Sequence, residues 1–242
     1  MNVTNLARGK QHLLRHTILD GIHNGRTLNS TYYPPPYYWA TQCTETFDEK
    51  WKQKNLSSPY RPFPEAEYLR WLFDQFLHTE RLFVPKSREM IISWAAMSYF
   101  VWHCQVHPRS RIVVQCQKED KAGDLIKGGD VPGYARTLYE RQPKWIQAKF
   151  PLTKPLIEQP MLRMSWANES LIMGVPKGAD QVRQYHPTIY YCDEAAFVDD
   201  FYGSYGAADP VAAQIIAVSS AEEGYFMDIC DDAIEAAGVI RQ

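Results

Sequence analysis

The chain has 242 residues, 45% of them hydrophobic, and a formal net charge of −2 at pH 7, which suits one α/β domain able to bury a full core. Its five cysteines show no C-x-x-C spacing, so they indicate reduced core residues and exclude a disulfide framework or a zinc site. No apolar run is long enough to span a bilayer, which excludes a transmembrane protein.

The small net charge hides an uneven distribution. Residues 184–242 contain 11 acidic residues and a single basic residue, Arg241, so residues 1–183 carry a net charge of +8. One interpretation is an ordinary soluble surface with unevenly placed charges. The other is a basic side that contacts phosphate backbones and an acidic carboxyl-terminal part that faces protein.

Residues 1–58 are expected to form an irregular N-terminal extension. They are polar and basic up to the consecutive prolines Pro34, Pro35 and Pro36, which favour extended polyproline II and exclude a helix there. Two interpretations remain open: an arm that packs against the domain or a partner, and a partly disordered tail.

Residues 59–242 alternate between strand and helix patterns. The predicted helices are 65–78, 91–104 and 118–127, and the predicted strands are 81–84, 111–116, 188–192 and 215–221, with a hairpin at 162–174. Prolines across 130–160 predict short helices and loops. This alternation predicts a mainly parallel sheet flanked by helices on both faces.

Two carboxylates follow the strand at 188–192. Asp193 and Glu194 are placed where nucleotide-hydrolysing α/β folds carry their chemistry, at the carboxyl ends of the strands. The first acid of such a pair can hold Mg²⁺ and the second can polarise the attacking water. Alone, the pair is equally compatible with a solvated acidic turn.

A polar turn joins the strand at 81–84 to the helix at 91–104. A strand that runs into a helix N-terminus forms an anion site, because free N–H groups and the helix dipole converge there. Aligned with G-x-x-x-x-G-K-[ST], residues 86–93 keep the final hydroxyl residue, Ser93, but lack both glycines and the usual lysine.

Together these segments resemble the large terminase subunits, the DNA-packaging motors of tailed bacteriophages. Lys-Ser-Arg-x-Met-x-Ile-Ser-Trp at 86–94 resembles their deviant Walker A, in which the lysine moves to the start of the loop. Residues 189–194 resemble their Walker B, and 215–221 resemble the strand that carries the coupling motif. The resemblance covers roughly residues 60–228, in the family's order.

The resemblance implies a P-loop ATPase fold of the RecA-like, helicase-like (ASCE) type, with ATP and Mg²⁺ as cofactors. It assigns catalysis to Glu194 and Arg88, metal binding to Ser93 and Asp193, and coupling of hydrolysis to movement to a short motif after the last strand. The implied nucleotide-binding residues are Lys86, Ser87, Arg88, Glu89, Met90, Ile91, Ile92 and Ser93. Phe63 is a candidate beside the base, and the alternative is that it is simply a core residue. The coupling motif is Ser219, Ser220 and Ala221.

Ile91 departs from the family, which commonly keeps a glycine at this place. A β-branched residue makes close approach of the backbone to phosphate harder. We therefore expect Ile91→Gly to tighten ATP binding, at a cost of roughly 1 kcal/mol of helix stability if Ile91 lies in the first helical turn.

The implied activity is Mg-ATP hydrolysis that moves double-stranded DNA into a procapsid, in the host cytoplasm and without a membrane. The implied partners are the DNA, the portal protein, the small terminase subunit, neighbouring copies in a ring on the procapsid, and a nuclease domain. That nuclease domain is expected to lie outside this chain, so no nuclease activity is expected here. The alternatives are another helicase-like P-loop ATPase acting on nucleic acid, and a non-hydrolysing assembly or DNA-binding module with a degenerate P-loop.

Overall fold

The structure is a computed structural model of the chain, and it describes residues 3–87, 90–175 and 182–236. The N-terminal region is more regular than expected, since it contains two helices and two short antiparallel hairpins. These elements are, in chain order, α1 (Val3–Asn24), β1 (Arg26–Leu28), β2 (Thr31–Tyr33), α2 (Pro35–Cys43), β3 (Glu45–Phe47) and β4 (Tyr60–Pro62).

The expectation that the three prolines exclude a helix was wrong. Pro34 has φ −54° and ψ 149° and precedes helix α2, whose first two residues are Pro35 and Pro36. Proline is accepted there because the first N–H groups of a helix have no intrahelical partner and the ring already fixes a helical φ. The prolines therefore start a helix.

The carboxyl-terminal part of this region packs on the domain. Ile22 and Trp39 are fully buried. The indole N–H of Trp102, in a later helix, donates a 2.8 Å hydrogen bond to the carbonyl of Ile22. These contacts agree with the interpretation of a packed arm.

A six-stranded sheet forms the centre of the domain, and five of its strands are parallel. Across the sheet the order is β5 (Arg81–Pro85), β10 (Gln214–Ser219), β9 (Ile189–Asp193), β6 (Arg111–Gln115), β8 (Leu171–Gly174) and β7 (Arg163–Ser165). Only β7 is antiparallel, paired with β8 in the expected hairpin. The mainly parallel α/β sheet predicted from the sequence is confirmed.

Helices cover both faces of this sheet and enclose two hydrophobic cores. The remaining helices are α3 (Glu67–His78), α4 (Ile92–Val106), α5 (Glu119–Ile126), α6 (Tyr134–Glu140), α7 (Lys144–Lys149), α8 (Phe201–Ala208) and α9 (Tyr225–Ala236). The first core contains α4 and the second lies under α8 and α9. No helix in the described ranges is long and apolar enough to cross a membrane.

Strand β9 is buried along its whole length and divides its side chains between the two cores. Ile189 and Tyr191 belong to the core with α4, whereas Tyr190 and Cys192 belong to the other. This alternation is the ordinary period of a strand. Asp193 is two residues beyond Tyr191 and so is directed to the α4 side, where helix α4 begins.

Candidate functional site

The turn after β5 is attached to the neighbouring strand. The backbone N–H of Lys86 donates a 2.8 Å hydrogen bond to the carbonyl of Ser219, which extends the pairing of β5 with β10 by one residue. Lys86 is half-buried and Ser87 is exposed. Arg88 and Glu89, both predicted site residues, lie outside the described residues.

The chain enters α4 through a left-handed residue. Ile91 has φ 59° and ψ 15° and immediately precedes the helix, which begins at Ile92. This conformation is uncommon for residues with a Cβ and a clear outlier for a β-branched one. Ile91 therefore adopts the glycine-like conformation of its place in the loop, and it lies before the first helical turn. Just upstream, the carbonyl of Met90 accepts a 3.2 Å hydrogen bond from the Tyr68 hydroxyl.

Ser93, Asp193 and Lys86 come together at the carboxyl edge of the sheet. The Asp193 side chain is buried, and its carboxyl interacts with the hydroxyl of Ser93, in the first turn of α4. Burial raises the pKa of Asp193, while the Ser93 hydroxyl and the Lys86 ammonium act in the opposite direction. The cluster thus combines a carboxylate, a hydroxyl and a cation drawn from two strand ends and one helix N-terminus.

Glu194 is directed away from Asp193. Its backbone is left-handed, with φ 55° and ψ 41°, and its N–H donates a 3.1 Å hydrogen bond to Asp193 Oδ1. The Glu194 side chain is exposed, whereas Asp193 is 8% exposed. The turn therefore gives two adjacent acids different environments, one dry and hydrogen-bonded and the other open to water.

Ser219 connects the two halves of this edge. Its carbonyl accepts from the N–H of Lys86, and its buried hydroxyl accepts a 3.1 Å hydrogen bond from the N–H of Ala196, two residues after Glu194. Ser220 is half-buried and Ala221 is exposed. Of the three predicted coupling residues, Ser219 is thus the one that contacts both the loop and the turn after the acid pair.

Two cavities, each of about 520 Å³, open on either side of Ser93. The first lies between hairpin β3–β4 and the loop before α4, and it is predominantly cationic, with Lys50, Lys54, Arg61 and Lys86 set against Asp48 and Glu49. The second lies over the acid pair and is predominantly acidic, with Glu49, Asp124, Asp130, Asp193 and Glu194 set against Lys121. Ser93 and Tyr134 line both cavities, so a ligand that bridges them would pass the Ser93 hydroxyl.

Phe63 is not among the described residues that line these cavities. It is 2% exposed and packs edge-on against Phe73 at 6.0 Å, while its neighbours Pro62 and Pro64 line the first cavity. The alternating directions of an extended chain account for this difference, because successive side chains point to opposite sides.

The sequence reasoning did not find several residues that line the cavities. Among them are the hairpin cations, far from the loop in sequence, and the stacked pair of Trp94 and Tyr134, whose rings lie 4.1 Å apart with an interplanar angle of 6°. No sequence signal linked Lys50, Lys54 and Arg61 to the site, because residues 46–54 suggested only a short helix and residues 57–64 a proline-punctuated loop. Trp94 ends the motif at 86–94 and could brace the loop, but nothing in the sequence linked it to Tyr134.

The oxygen atoms present suit a cation that brings further ligands with it. Among the described residues, no group of three or more His, Cys, Asp or Glu side chains could hold a metal ion alone. Mg²⁺ commonly binds proteins through one or two carboxylates together with substrate phosphates and water. Ser93 and Asp193 fit that role, provided that phosphate oxygens complete the coordination.

The fold belongs to the mixed α/β class with a mainly parallel sheet and polar residues at the carboxyl edge. Solved structures similar to this chain include the large terminase ATPase domain of Thermus phage P74-26, at 13% identity and a TM-score of 0.43, over 76% of this chain and 73% of that one. An arginine-to-alanine variant of that domain matches at 14% identity and a TM-score of 0.41, over 76% and 74%. No family model and no curated protein matches the chain.

Proposed function

We propose that this chain is the ATPase domain of a viral DNA-packaging motor, which hydrolyses Mg-ATP to move double-stranded DNA into a procapsid. The observation that carries the proposal is the meeting of Ser93, Asp193 and Lys86 at the carboxyl edge of a parallel sheet. Ser93 and Lys86 come from the segment that resembles the terminase Walker A, and Asp193 from the segment that resembles Walker B. These two segments are far apart in sequence but adjacent in space.

The charges of the two cavities orient the nucleotide. The triphosphate lies in the cationic cavity, and its terminal phosphate reaches Ser93, where the two cavities meet. Lys86 and Arg88 stabilise negative charge on the phosphates. Ser93 and Asp193 would hold Mg²⁺, which would further neutralise the charge of the phosphates.

Glu194 acts on water from the opposite side. Its exposed carboxylate lines the acidic cavity, where it can orient a water molecule for attack on the terminal phosphate and accept its proton. The buried Asp193 next to it is engaged by Ser93, so the two acids have separate roles. Hydrolysis yields ADP and phosphate.

Ser219 relays the state of the site. It holds the backbone of Lys86 on one side and that of Ala196 on the other, so a shift of the phosphate-binding loop displaces the turn after Glu194. In the assembled motor this displacement reaches the surface that contacts DNA. The proposed partners are double-stranded DNA, the portal protein, the small terminase subunit, a nuclease domain and neighbouring copies in a ring on the procapsid, in the host cytoplasm.

The decisive experiment separates nucleotide binding from turnover. Glu194→Gln is expected to bind Mg-ATP with nearly the parent affinity and to lose most phosphate release, because an amide cannot accept a proton from water. Affinity is measured by calorimetric titration and phosphate release on the same preparation. Glu158→Gln, an exposed acid that is not among the residues lining either cavity, is the matched control. Unchanged hydrolysis in Glu194→Gln would remove Glu194 from the base role, and a parent that binds no nucleotide would refute the proposed function.

A further inference from the structure

The hydroxyl of Tyr191 is a buried polar group without a hydrogen-bond partner. Tyr191 is fully buried in the core that contains α4, where its ring packs edge-on against Phe100 at 5.0 Å. Its oxygen makes no hydrogen bond. A buried, unpaired hydroxyl costs stability, and phenylalanine would fill the same space without that cost. The hydroxyl therefore calls for an explanation beyond packing.

The hydroxyl of Ser93 lies close to that of Tyr191. Ser93 is the side chain with which the Tyr191 phenol interacts, although the contact falls short of hydrogen-bond geometry. The same Ser93 hydroxyl interacts with the carboxyl of Asp193, two residues beyond Tyr191 on the same side of β9. Tyr191, Ser93 and Asp193 thus form a row that leads from the core to the cavities.

The hydroxyl of Ser93 has enough hydrogen-bonding capacity to interact with Tyr191, Asp193 and a metal ion. A serine hydroxyl has one proton and two lone pairs. When its proton goes to Asp193, one lone pair can accept from the Tyr191 phenol and the other can bind a metal ion. A hydrogen-bond donor that occupies one lone pair of the Ser93 oxygen fixes the direction of the other lone pair.

We propose that Tyr191 is a positioning residue for the metal ligand Ser93. In the nucleotide-bound protein the Tyr191 O–H donates to Ser93 Oγ and holds the free lone pair towards Mg²⁺. The inference rests on the proposed function and extends it to a residue beneath the site. It also accounts for a tyrosine at this position, because the hydroxyl has no partner until Ser93 shifts onto the metal.

Tyr190 provides a matched control. It is the preceding residue of the same strand, equally buried, and directed to the opposite core. Its hydroxyl donates a 2.5 Å hydrogen bond to Gln115 Oε1. Tyr190→Phe and Tyr191→Phe therefore remove the same atom from neighbouring sites, one with a partner and one without.

The test measures the affinity of a fluorescent, non-hydrolysable ATP analogue with Mg²⁺ and again with EDTA. The ratio of the two affinities is the gain due to the metal. In Tyr191→Phe this gain should fall about fivefold, the size of one neutral hydrogen bond, while the affinity in EDTA stays at the parent value. Tyr190→Phe should keep the parent ratio.

Thermal unfolding without nucleotide gives an independent reading. Tyr191→Phe should melt at or above the parent temperature, because it removes an unpaired buried hydroxyl, and Tyr190→Phe should melt below it, because it breaks a formed hydrogen bond. A reduced metal gain together with unreduced stability is not what a purely structural role of Tyr191 would produce. In a Ser93→Ala background, Tyr191→Phe should have no further effect on the metal gain.

The outcomes separate this inference from the proposed function. A parent that binds no nucleotide refutes the proposed function and, with it, the role of Tyr191. A parent with a clear metal gain that Tyr191→Phe retains refutes the role of Tyr191 alone. Equal losses of metal gain in both tyrosine variants would also overturn it, because the effect would then come from the strand and not from Ser93.

Discussion

Ile91→Gly tests whether the loop before α4 follows a left-handed backbone path. Ile91 has φ 59° and precedes the helix. The sequence alone placed Ile91 in the first helical turn, where glycine would lower stability. The structure reverses the sign of this prediction, because glycine adopts the left-handed conformation without a steric penalty.

The expected size follows from two opposing effects. The left-handed conformation costs a residue with a Cβ about 1–2 kcal/mol, and glycine removes this cost. Glycine also has greater freedom in the unfolded chain, which lowers the free energy of unfolding by roughly 0.4–1 kcal/mol and so offsets part of the gain. The net gain in the free energy of unfolding is about 0.5–1 kcal/mol, which corresponds to a rise in Tm of about 1–4 °C for a chain of this length.

Thermal and urea unfolding of the parent, Ile91→Gly and Ile91→Ala measure the effect. Alanine removes most of the side chain but keeps the Cβ, so the difference between the two variants isolates the backbone strain. Ile91 also lines the first cavity, so Ile91→Gly should tighten Mg-ATP binding in a calorimetric titration. A glycine variant less stable than the alanine variant would refute the left-handed path and require a new assignment of Lys86.

Two further predictions concern the charges of the site, and a third concerns DNA binding. Lys86→Ala should weaken Mg-ATP binding or turnover at least tenfold, whereas Lys149→Ala, on the exposed end of α7, should change neither. Equal affinities and equal rates of phosphate release in the parent and both variants would contradict the Walker A assignment. Asp193→Asn should raise the Tm at pH 7, because burial raises the pKa of Asp193 and the ionised carboxylate lowers stability. This gain in Tm should fade as the pH falls towards 3.8, the ordinary pKa of the carboxyl group. A gain that does not depend on pH would show that ionisation of Asp193 is not its cause. DNA binding should be weak, insensitive to sequence and linear in log affinity against log salt, so a flat salt response in fluorescence anisotropy would count against contacts with the phosphate backbone.

The sheet could be predicted from sequence because each of its strands has a local signature. Strand β9 is a short β-branched and aromatic run that ends in two acids, and β5 is an apolar run that ends at a polar turn. Parallel strands place such ends at one edge, so the sequence alone was enough to bring Asp193 and Lys86 together. The N-terminal region lacked such signals, and the prolines at the start of α2 were interpreted as excluding a helix.

The cationic wall of the first cavity could not be predicted in the same way. Lys50 and Arg61 are separated by a turn with no regular period, and only the pairing of β3 with β4 places them opposite the loop. Phe63 shows the converse error, since an aromatic residue near the expected base site turned out to fill the core. Side-chain type alone therefore did not indicate which face of an irregular segment lines the cavity.

Ile91 explains why a residue pattern rejects this loop while its backbone retains the expected form. A sequence pattern that requires glycine tests for the residue that most easily adopts a left-handed conformation. It does not test for the conformation, which another residue can also adopt. Here the hydrogen bonds of Lys86 to Ser219 and of Tyr68 to Met90 fix the chain before Ile91, and the buried start of α4 fixes it afterwards. The fold thus imposes on isoleucine a conformation that glycine would adopt freely, and the strain remains measurable in the Ile91→Gly and Ile91→Ala pair.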